Sequence, residues 1–246
     1  MNQNEVALVT GGNKGIGHEI VRQLADRGFT VYLGARNPSL GTEAAAGLAG
    51  DVRFVQLDVT DVESVAAAAK QVDADSGRLD VLVNNAGIVA EWGTAVADIT
   101  AEQVRTAYDV NVFGVVSAIN AFVPLLRKSS NARIVNMSSG LGSVNLLSEL
   151  DGHLATQGLL AYSSSKAALN ALTLVYASAL RADGIKVNAA TPGLVPTDLN
   201  TQAAVPRGTR TVADGAAVPV ALATLPADGP TGVFRGPQSL DDIAPW

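Results

Sequence analysis

Residues 10–17 read TGGNKGIG and follow the apolar run Val6-Ala7-Leu8-Val9. Glycines at positions 11, 15 and 17 thus stand where a β-rich segment gives way to the amphipathic stretch IGHEIVRQLADRG. Glycine permits a sharp turn and the close approach of a bound group, and the N-terminus of the next helix presents free N–H groups. This arrangement suits a phosphate or pyrophosphate. A glycine-rich turn without a ligand is the alternative, because short motifs also occur by chance.

The strand-then-helix pattern continues along all 246 residues. Because β-rich runs alternate with alanine-rich segments of helical length, we expect a doubly wound parallel α/β sheet of the Rossmann type, with helices on both faces. No linker-like stretch divides residues 1–246, and α/β folds of about 200–250 residues often form a single domain. The predicted strands are 6–10, 30–34, 53–57, 81–84, 133–137, 186–190 and 232–235, seven in all. The predicted helices lie near 15–27, 39–49, 61–75, 101–127, 159–182 and 211–225.

Composition excludes several kinds of partner. The formal net charge is −6 and no run of Lys or Arg occurs, which argues against nucleic acid and against an anionic membrane surface. The most apolar stretch, Val110–Leu126, contains polar residues and is shorter than the roughly 20 residues of a membrane span, so it predicts a buried helix. The N-terminus lacks a secretory pattern and the chain has no cysteine, which fits a reducing compartment. We therefore expect a cytoplasmic protein.

The end of the second predicted strand bears on the choice of nucleotide. Binders of NAD usually place an acid there for the ribose 2′-OH, whereas binders of NADP place a cation near the 2′-phosphate. Here the strand runs into Arg36 with no acid, and Lys14 lies in the glycine turn. We favour NADP(H), the alternative being two ordinary solvated cations. Asp58, after the third strand, is predicted either to accept from the adenine amino group or to cap the helix that starts near Asp61.

The pattern YSSSK holds the strongest chemical signal. Its spacing puts Tyr162 and Lys166 on one face of a helix, where a nearby ammonium should lower the pKa of the phenol. Such a tyrosine exchanges a proton with a carbonyl or alcohol oxygen. Ser139, at the end of the strand in RIVNMSSGLG, is able to hydrogen-bond the same oxygen, although alternation alone does not separate it from Ser138. Asn111, in an apolar helix, needs amide partners, and a water relay from Lys166 would supply one.

Taken in order, the motifs TGGNKGIG, NNAG, Asn111, Ser139, YSSSK and TPGLVPTD resemble those of the short-chain dehydrogenases/reductases from end to end. Within that family the chain is similar to the NADPH-dependent carbonyl reductases. The resemblance implies that NADPH delivers hydride to a carbonyl carbon of a small-molecule substrate. It also implies that Tyr162 protonates the oxygen, Ser139 orients it, Lys166 binds the nicotinamide ribose and Asn111 anchors a water.

The resemblance further assigns contacts to the nucleotide. Arg36 would meet the 2′-phosphate and Asp58 the adenine, with Val59 beside it, and Tyr162 and Lys166 would border the nicotinamide. The remaining expected contacts on the phosphate side, at the adenosine ribose and over the nicotinamide are Gly11, Asn13, Lys14, Gly15, Ile16, Gly17, Asn85, Ala86, Gly87, Pro192, Gly193, Val195 and Thr197.

Two irregular segments, about 140–158 and 191–210, leave the carboxyl ends of strands, where open α/β sheets bind ligands. Ser139 and Tyr162 are 23 positions apart, which is longer than in most members of the family. An insertion there would hinder subunit packing, so we expect a monomer or dimer rather than a tetramer. It also places Leu146, Leu147 and His153 near the pocket mouth. His153 is predicted to touch substrate or, as we favour, to be a solvent-exposed loop residue.

The walls of the substrate pocket are predicted to be apolar, which points to an apolar or aromatic carbonyl compound. Leu141, Val195 and Leu199 are the residues expected to form them. Trp92 is either a further pocket wall or a core residue.

Other functions fit less well. A serine hydrolase would need G-x-S-x-G, which is absent, and a metal enzyme would need more than two isolated histidines, His18 and His153. Related sugar epimerases carry a larger C-terminal domain than the roughly fifty residues after Pro196. The alternative from another class is a non-catalytic NADP(H)-sensing regulator. Such a protein would be expected to have lost a member of the Asn–Ser–Tyr–Lys set, and all four are present.

Overall fold

Seven parallel strands form the centre of the molecule in a computed structural model that describes residues 5–157, 159–203 and 207–246. Their order across the sheet is β3-β2-β1-β4-β5-β6-β7, and each neighbouring pair is parallel. The connections reverse direction between β1 and β4, where sheets of this kind bind ligands. The predicted doubly wound sheet is confirmed. The strands are β1 (Val6–Thr10), β2 (Thr30–Ala35), β3 (Asp51–Gln56), β4 (Val81–Asn84), β5 (Arg133–Met137), β6 (Lys186–Ala190) and β7 (Phe234–Arg235).

Helices cover both faces of this sheet. Alternate residues of β1 point to opposite sides: Leu8 joins a buried cluster with α3, α5 and α7, whereas Ala7 and Val9 join one with α1, α2 and α8. Both clusters consist mainly of Ala, Val and Leu, as the low aromatic content predicts. The helices are α1 (Gly15–Asp26), α2 (Pro38–Ala46), α3 (Val62–Ser76), α4 (Ala101–Tyr108), α5 (Gly114–Leu126), α6 (Val144–Leu147), α7 (Leu160–Ala179) and α8 (Val212–Ala223).

The helix predicted over 101–127 contains a feature that the sequence did not indicate. A π-helical turn, Asp109–Phe113, joins α4 to α5. By length and composition alone, Ala101–Leu126 is apolar enough to cross a membrane. Its residues Ile119 and Phe122 are fully buried against the sheet, which agrees with the prediction of a core helix.

The two irregular segments contain only short elements. In 140–158 these are α6 and the 3₁₀ turns Gly140–Gly142 and Ala155–Gln157, and in 191–210 there is the 3₁₀ turn Asp198–Asn200. The predicted segments also include Gly158 and residues 204–206, which lie outside the described residues.

Local side-chain caps begin four of the longer helices. Of the other three, α5 continues directly from the π-helical turn, whereas α1 and α7 begin from non-helical backbone without a side-chain cap. The capping residues of α2, α3, α4 and α8 are Asn37, Asp61, Thr100 and Thr211. The N-cap residues of α1 and α7 are Lys14 and Leu159, and neither side chain accepts a hydrogen bond from its helix. Both helices begin at the sheet edge where the candidate site lies.

Candidate active site

A cleft of about 650 Å³ lies at the carboxyl ends of the central strands. It runs from the glycine turn, past the end of β2, to the first turn of α7. Most of the residues predicted to contact a nucleotide line it: Gly11, Asn13, Lys14, Gly15, Ile16, Gly17, Arg36, Asp58, Val59, Asn85, Ala86, Gly87, Tyr162, Lys166, Pro192 and Thr197. The topology thus brings segments separated by up to about 180 residues to one surface.

The glycine turn has the geometry of an anion cradle. Gly11 and Gly15 adopt φ values of 64° and 57°, a region that other residues rarely enter. A side chain at Gly17 would collide with the Asn85 amide and the Gly11 carbonyl. The same Asn85 amide donates to the carbonyls of Thr10 and Gly11, at 2.9 and 3.2 Å, and so holds the turn against β4. Since α1 has no side-chain cap, its first N–H groups border the cleft, as a phosphate group requires.

The two cations at this corner have different environments. Arg36 is exposed, lines the cleft and makes no hydrogen bond or ion pair with the described part of the chain. Lys14 instead pairs with Asp198 across the mouth of the cleft, Nζ to Oδ2, at 3.0 Å. The two side chains are 64% and 69% exposed, so the pair is fully hydrated and weak. Arg36 therefore offers an unpaired guanidinium for a 2′-phosphate.

Asp58 does not cap a helix. The Asp61 carboxylate accepts from the N–H groups of Glu63 and Ser64 and begins α3, so the capping alternative for Asp58 was wrong. One oxygen of Asp58 accepts from the N–H and hydroxyl of Thr60, and the residue borders the cleft. The other prediction for Asp58, adenine recognition, stays a prediction.

Tyr162 and Lys166 lie together on α7, and both are buried, at 8% and 3% exposure. The Lys166 ammonium lies 5.6 Å from the centre of the phenol ring and donates to the Met137 carbonyl at 2.8 Å. Burial lowers the pKa of Lys166 to about 8.

The predicted lowering of the tyrosine pKa was wrong. Burial raises the pKa of Tyr162 to about 12, a hydrogen bond with Ser139 opposes the rise, and the charge of Glu91 adds to it. Desolvation of the buried phenolate is the largest of these causes, and burial is not visible in the spacing of the two residues. Tyr162 is thus a phenol that holds its proton at neutral pH.

The two serines after β5 have distinct surroundings. Ser138 is buried, and its hydroxyl donates to the Asn170 side chain at 2.6 Å. Ser139 is half-buried, accepts from the Leu141 N–H at 3.1 Å and interacts with the Tyr162 side chain. Ser139 is therefore the serine that shares its surroundings with the phenol, as the family pattern implied.

Asn111 lies on the π-helical turn and is fully buried. Its amide nitrogen donates to the Ile88 carbonyl and the Ser165 hydroxyl, each at 3.0 Å, and its oxygen accepts from the Ile88 N–H at 2.9 Å. The prediction that this amide would need partners was right, and Ile88 and Ser165 supply them. Through Ile88 and Ser165, Asn111 ties the end of β4 to α7.

Two residues predicted to close over the nicotinamide do not line the cleft. Val195 is buried and packs against Gly215 of α8. Gly193 adopts a φ of 71° with Arg210 and Pro237 beside it. Pro192 and Thr197 of the same loop do border the cleft.

Some of the residues predicted on the substrate side line the cleft and others do not. Trp92 lines the cleft and donates from Nε1 to the Leu199 carbonyl at 2.9 Å, so it is a wall and not a core residue. Leu199 lines the cleft as predicted, but Leu141 and Leu146 do not. Leu147 of the insertion borders a separate, smaller cavity of about 190 Å³ instead of the cleft. His153 is solvent-exposed, as we favoured.

Sequence reasoning missed Glu91. It is 1% exposed, and its carboxylate accepts from the Tyr162 N–H at 2.7 Å and from the Ala90 N–H at 3.0 Å. Its one sequence signal is an acid inside the otherwise uncharged stretch that follows NNAG. That signal does not reveal a partner 71 positions away.

Comparison with known proteins agrees with this geometry. Residues 5–207 match the family model described as short chain dehydrogenase. The chain is 36% identical to short-chain dehydrogenase/reductase 1 of Saponaria officinalis, covering 99% of this chain and 97% of that protein. It is 34% identical to (+)-neomenthol dehydrogenase of Arabidopsis thaliana, covering 96% and 97%.

Two solved structures extend the comparison. NADPH-bound carbonyl reductase from chicken fatty liver superposes with a TM-score of 0.81 at 29% identity, covering 99% of this chain and all of that one. Salutaridine reductase from Papaver somniferum gives 0.80 at 30%, covering 94% and 99%.

Proposed function

Because the chain belongs to the short-chain dehydrogenase family, we propose that it is an NADPH-dependent oxidoreductase that reduces a ketone, aldehyde or quinone to an alcohol, with Tyr162 as the general acid. One observation carries this proposal. The buried pair Tyr162 and Lys166 lies in the same cleft as the uncapped N-terminus of α1 and as Arg36, the exposed cation that follows β2. The residues present therefore fit NADP(H), with Arg36 for the 2′-phosphate, the glycine turn for the pyrophosphate and Lys166 for the nicotinamide ribose.

When bound, NADPH supplies the hydride. The chain's own residues hold the carbonyl group and its proton. Tyr162 keeps its proton at neutral pH and is placed to donate it to the carbonyl oxygen, while the Ser139 hydroxyl beside it hydrogen-bonds that oxygen. Lys166, anchored on the Met137 carbonyl, contributes a positive charge that stabilises the phenolate left behind.

Asn111 joins two parts of the site. Because all its amide groups are bonded to Ile88 and Ser165, the loop after β4 and the first turns of α7 are held as one unit. Proton transfer depends on such fixed distances, so Asn111 acts here by positioning Tyr162 and Lys166. The water that the family resemblance assigns to Asn111 stays a prediction.

The substrate side of the cleft favours an apolar or aromatic carbonyl compound. Ile88, Val89, Trp92, Val110 and Leu199 line it. Related proteins bear the names (−)-isopiperitenone reductase and salutaridine reductase, that is, reductases of small organic molecules. We propose the same substrate class for this chain.

Three further features belong to this proposal. The insertion before Tyr162 supports a monomer or dimer, and the absence of cysteine supports a cytoplasmic location. The net charge of −6 supports a protein that does not bind nucleic acid or anionic membranes.

NADPH oxidation with a panel of ketones, aldehydes and quinones tests the function. Wild type should turn over at least one apolar carbonyl compound. Tyr162→Phe should lose at least about a hundredfold in kcat while binding NADPH normally. Turnover that survives this change would remove Tyr162 as the acid, and tight NADPH binding without turnover on any carbonyl would favour a nucleotide sensor.

A further inference from the structure

The first turn of α7 is stabilised by a residue from another part of the chain. Tyr162 is the third residue of this helix, the position whose N–H a local N-cap side chain normally accepts. The residue at the cap is Leu159, which has no acceptor. The Glu91 carboxylate instead accepts that N–H at 2.7 Å.

We propose that Glu91 is a positioning residue for Tyr162: its buried carboxylate accepts the Tyr162 N–H and fixes the backbone of the acid at the start of α7. This inference rests on the proposed function of the cleft. Glu91 is held in turn by the Ala90 N–H, and its neighbour Trp92 binds the Leu199 carbonyl. The loop after β4 therefore connects the acid to the substrate wall.

Burial makes this contact strong. A carboxylate accepting N–H bonds away from water forms short, charge-assisted hydrogen bonds. A negative charge at a helix N-terminus is also stabilised by the positive end of the helix dipole. Since Glu91 is 1% exposed, water does not compete with its carboxylate for the Tyr162 N–H.

The charge of Glu91 acts on the phenol as well as on the backbone. Within the described residues, Lys166 on the same helix lies beside the phenol ring and Ser139 after β5 hydrogen-bonds the phenol, whereas Glu91 after β4 lies at the Tyr162 N–H and acts on the phenol through its charge. Lys166 and Glu91 have opposite effects on the phenolate, and Glu91 raises the pKa of Tyr162. The site thus holds a proton donor whose strength depends on two buried charges of opposite sign.

Two variants separate the charge from the hydrogen bond. Glu91→Gln keeps an oxygen that accepts the Tyr162 N–H but removes the charge, whereas Glu91→Ala removes both. Glu102→Gln is the matched control, because it is the same chemical change at an exposed position on α4. Hydrogen exchange of the backbone over 159–166 reports the contact without any need for catalysis.

In Glu91→Ala we expect faster exchange over 159–166 and a kcat about tenfold lower, with the NADPH dissociation constant within about twofold of wild type. In Glu91→Gln exchange should stay slow. In the reverse direction, oxidation of the alcohol requires the ionised phenol, so the rate rises with pH. In Glu91→Gln this rise in the pH–rate profile should occur about one pH unit lower than in wild type, because the phenol is a stronger acid without the nearby negative charge. Glu102→Gln should match wild type in all three measurements.

Unchanged exchange in Glu91→Ala, or an unmoved pH–rate profile in Glu91→Gln, would overturn the inference. If Glu91→Ala does not fold, exchange and the pH profile of Glu91→Gln decide it alone. A wild type without turnover would instead contradict the proposed function, and hydrogen exchange would still test the contact.

Discussion

Replacing Gly142 by alanine tests how closely the loop after β5 must approach the catalytic helix. Gly142 is buried, and its carbonyl accepts from the Asn170 side chain at 2.9 Å. A methyl group there would lie 2.7 Å from the carbonyl carbon and the Cβ of Lys166 and 2.9 Å from its carbonyl oxygen. Two of these three atoms are backbone, so no side-chain rotation relieves the clash.

The required movement sets the expected effect. Carbon atoms prefer separations of about 3.5–4.0 Å, so the loop and α7 must separate by roughly 0.8 Å or more. Overpacking of this kind costs about 1–3 kcal/mol, and each kcal/mol corresponds to about 2–4 °C in Tm for a chain of this size. Ser139 precedes the loop and Tyr162 lies on the helix, so their separation changes too. Misplacement by about 1 Å lowers catalysis about a hundredfold.

Steady-state kinetics, NADPH titration by fluorescence and thermal unfolding measure the three quantities. We expect kcat to fall about a hundredfold in Gly142→Ala while the NADPH dissociation constant stays within about threefold, because the glycine turn and Arg36 are unaffected. Gly47→Ala is the control, since a methyl group there meets nothing closer than 3.6 Å. Wild-type kcat in a folded Gly142→Ala protein, or equal losses in kcat and in NADPH binding, would refute the reasoning.

Three shorter predictions concern charge. Arg36→Asp should lower the preference for NADPH over NADH by at least about tenfold, measured as a ratio of kcat/KM values, and an unchanged ratio would exclude Arg36 from 2′-phosphate recognition. Asp198→Asn frees Lys14 from an exposed pair and should lower the KM for NADPH by up to about fivefold at low salt, with no difference at high salt. Burial lowers the pKa of Lys166 to about 8. Between about pH 8 and 10.5 the folded state therefore binds fewer protons than the unfolded state. As a result, the free energy of unfolding increases as the pH rises through that window. Lys166→Met should therefore raise Tm at pH 7 and lose that advantage by pH 10, although it is inactive, and a Tm that is lower at both pH values would contradict this.

The sequence was sufficient for the parts of the molecule that local pattern determines. Each strand of the sheet overlaps its predicted range, because buried parallel strands appear as short apolar runs. The Tyr162–Lys166 pair was predictable for a similar reason, since a spacing of four on a helix fixes the relative direction of two side chains. The glycines of the first turn follow the same logic, because Gly11 and Gly15 do adopt positive φ values.

The failures concern properties that depend on distant segments. The direction of the Tyr162 pKa depends on burial, which spacing does not reveal. Val195 faces away from the cleft because α8 has a glycine, Gly215, against which it packs. The π-helical turn that carries Asn111 has no sequence signal of its own, and Glu91 is visible only once α7 lies beside the loop after β4.

The starts of α1 and α7, which lack a capping side chain, give a physical reason why sequence reasoning fails at the site. Local capping residues begin α2, α3, α4 and α8, whereas α1 and α7 have none. A capping side chain in front of α1 would accept the N–H groups that border the cleft, and one at position 159 would compete with Glu91 for the Tyr162 N–H. Free N–H groups at a helix N-terminus are costly unless another group accepts from them. Apart from α5, which continues from the π-helical turn, α1 and α7 are the helices of the described chain that begin without a side-chain cap. Their ends are available to the site, that of α1 for the phosphates of a nucleotide and that of α7 for a buried carboxylate. In an amino-acid sequence, an amphipathic helix that begins without Ser, Thr, Asp or Asn is thus a local sign that a distant part of the chain or a ligand completes its first turn.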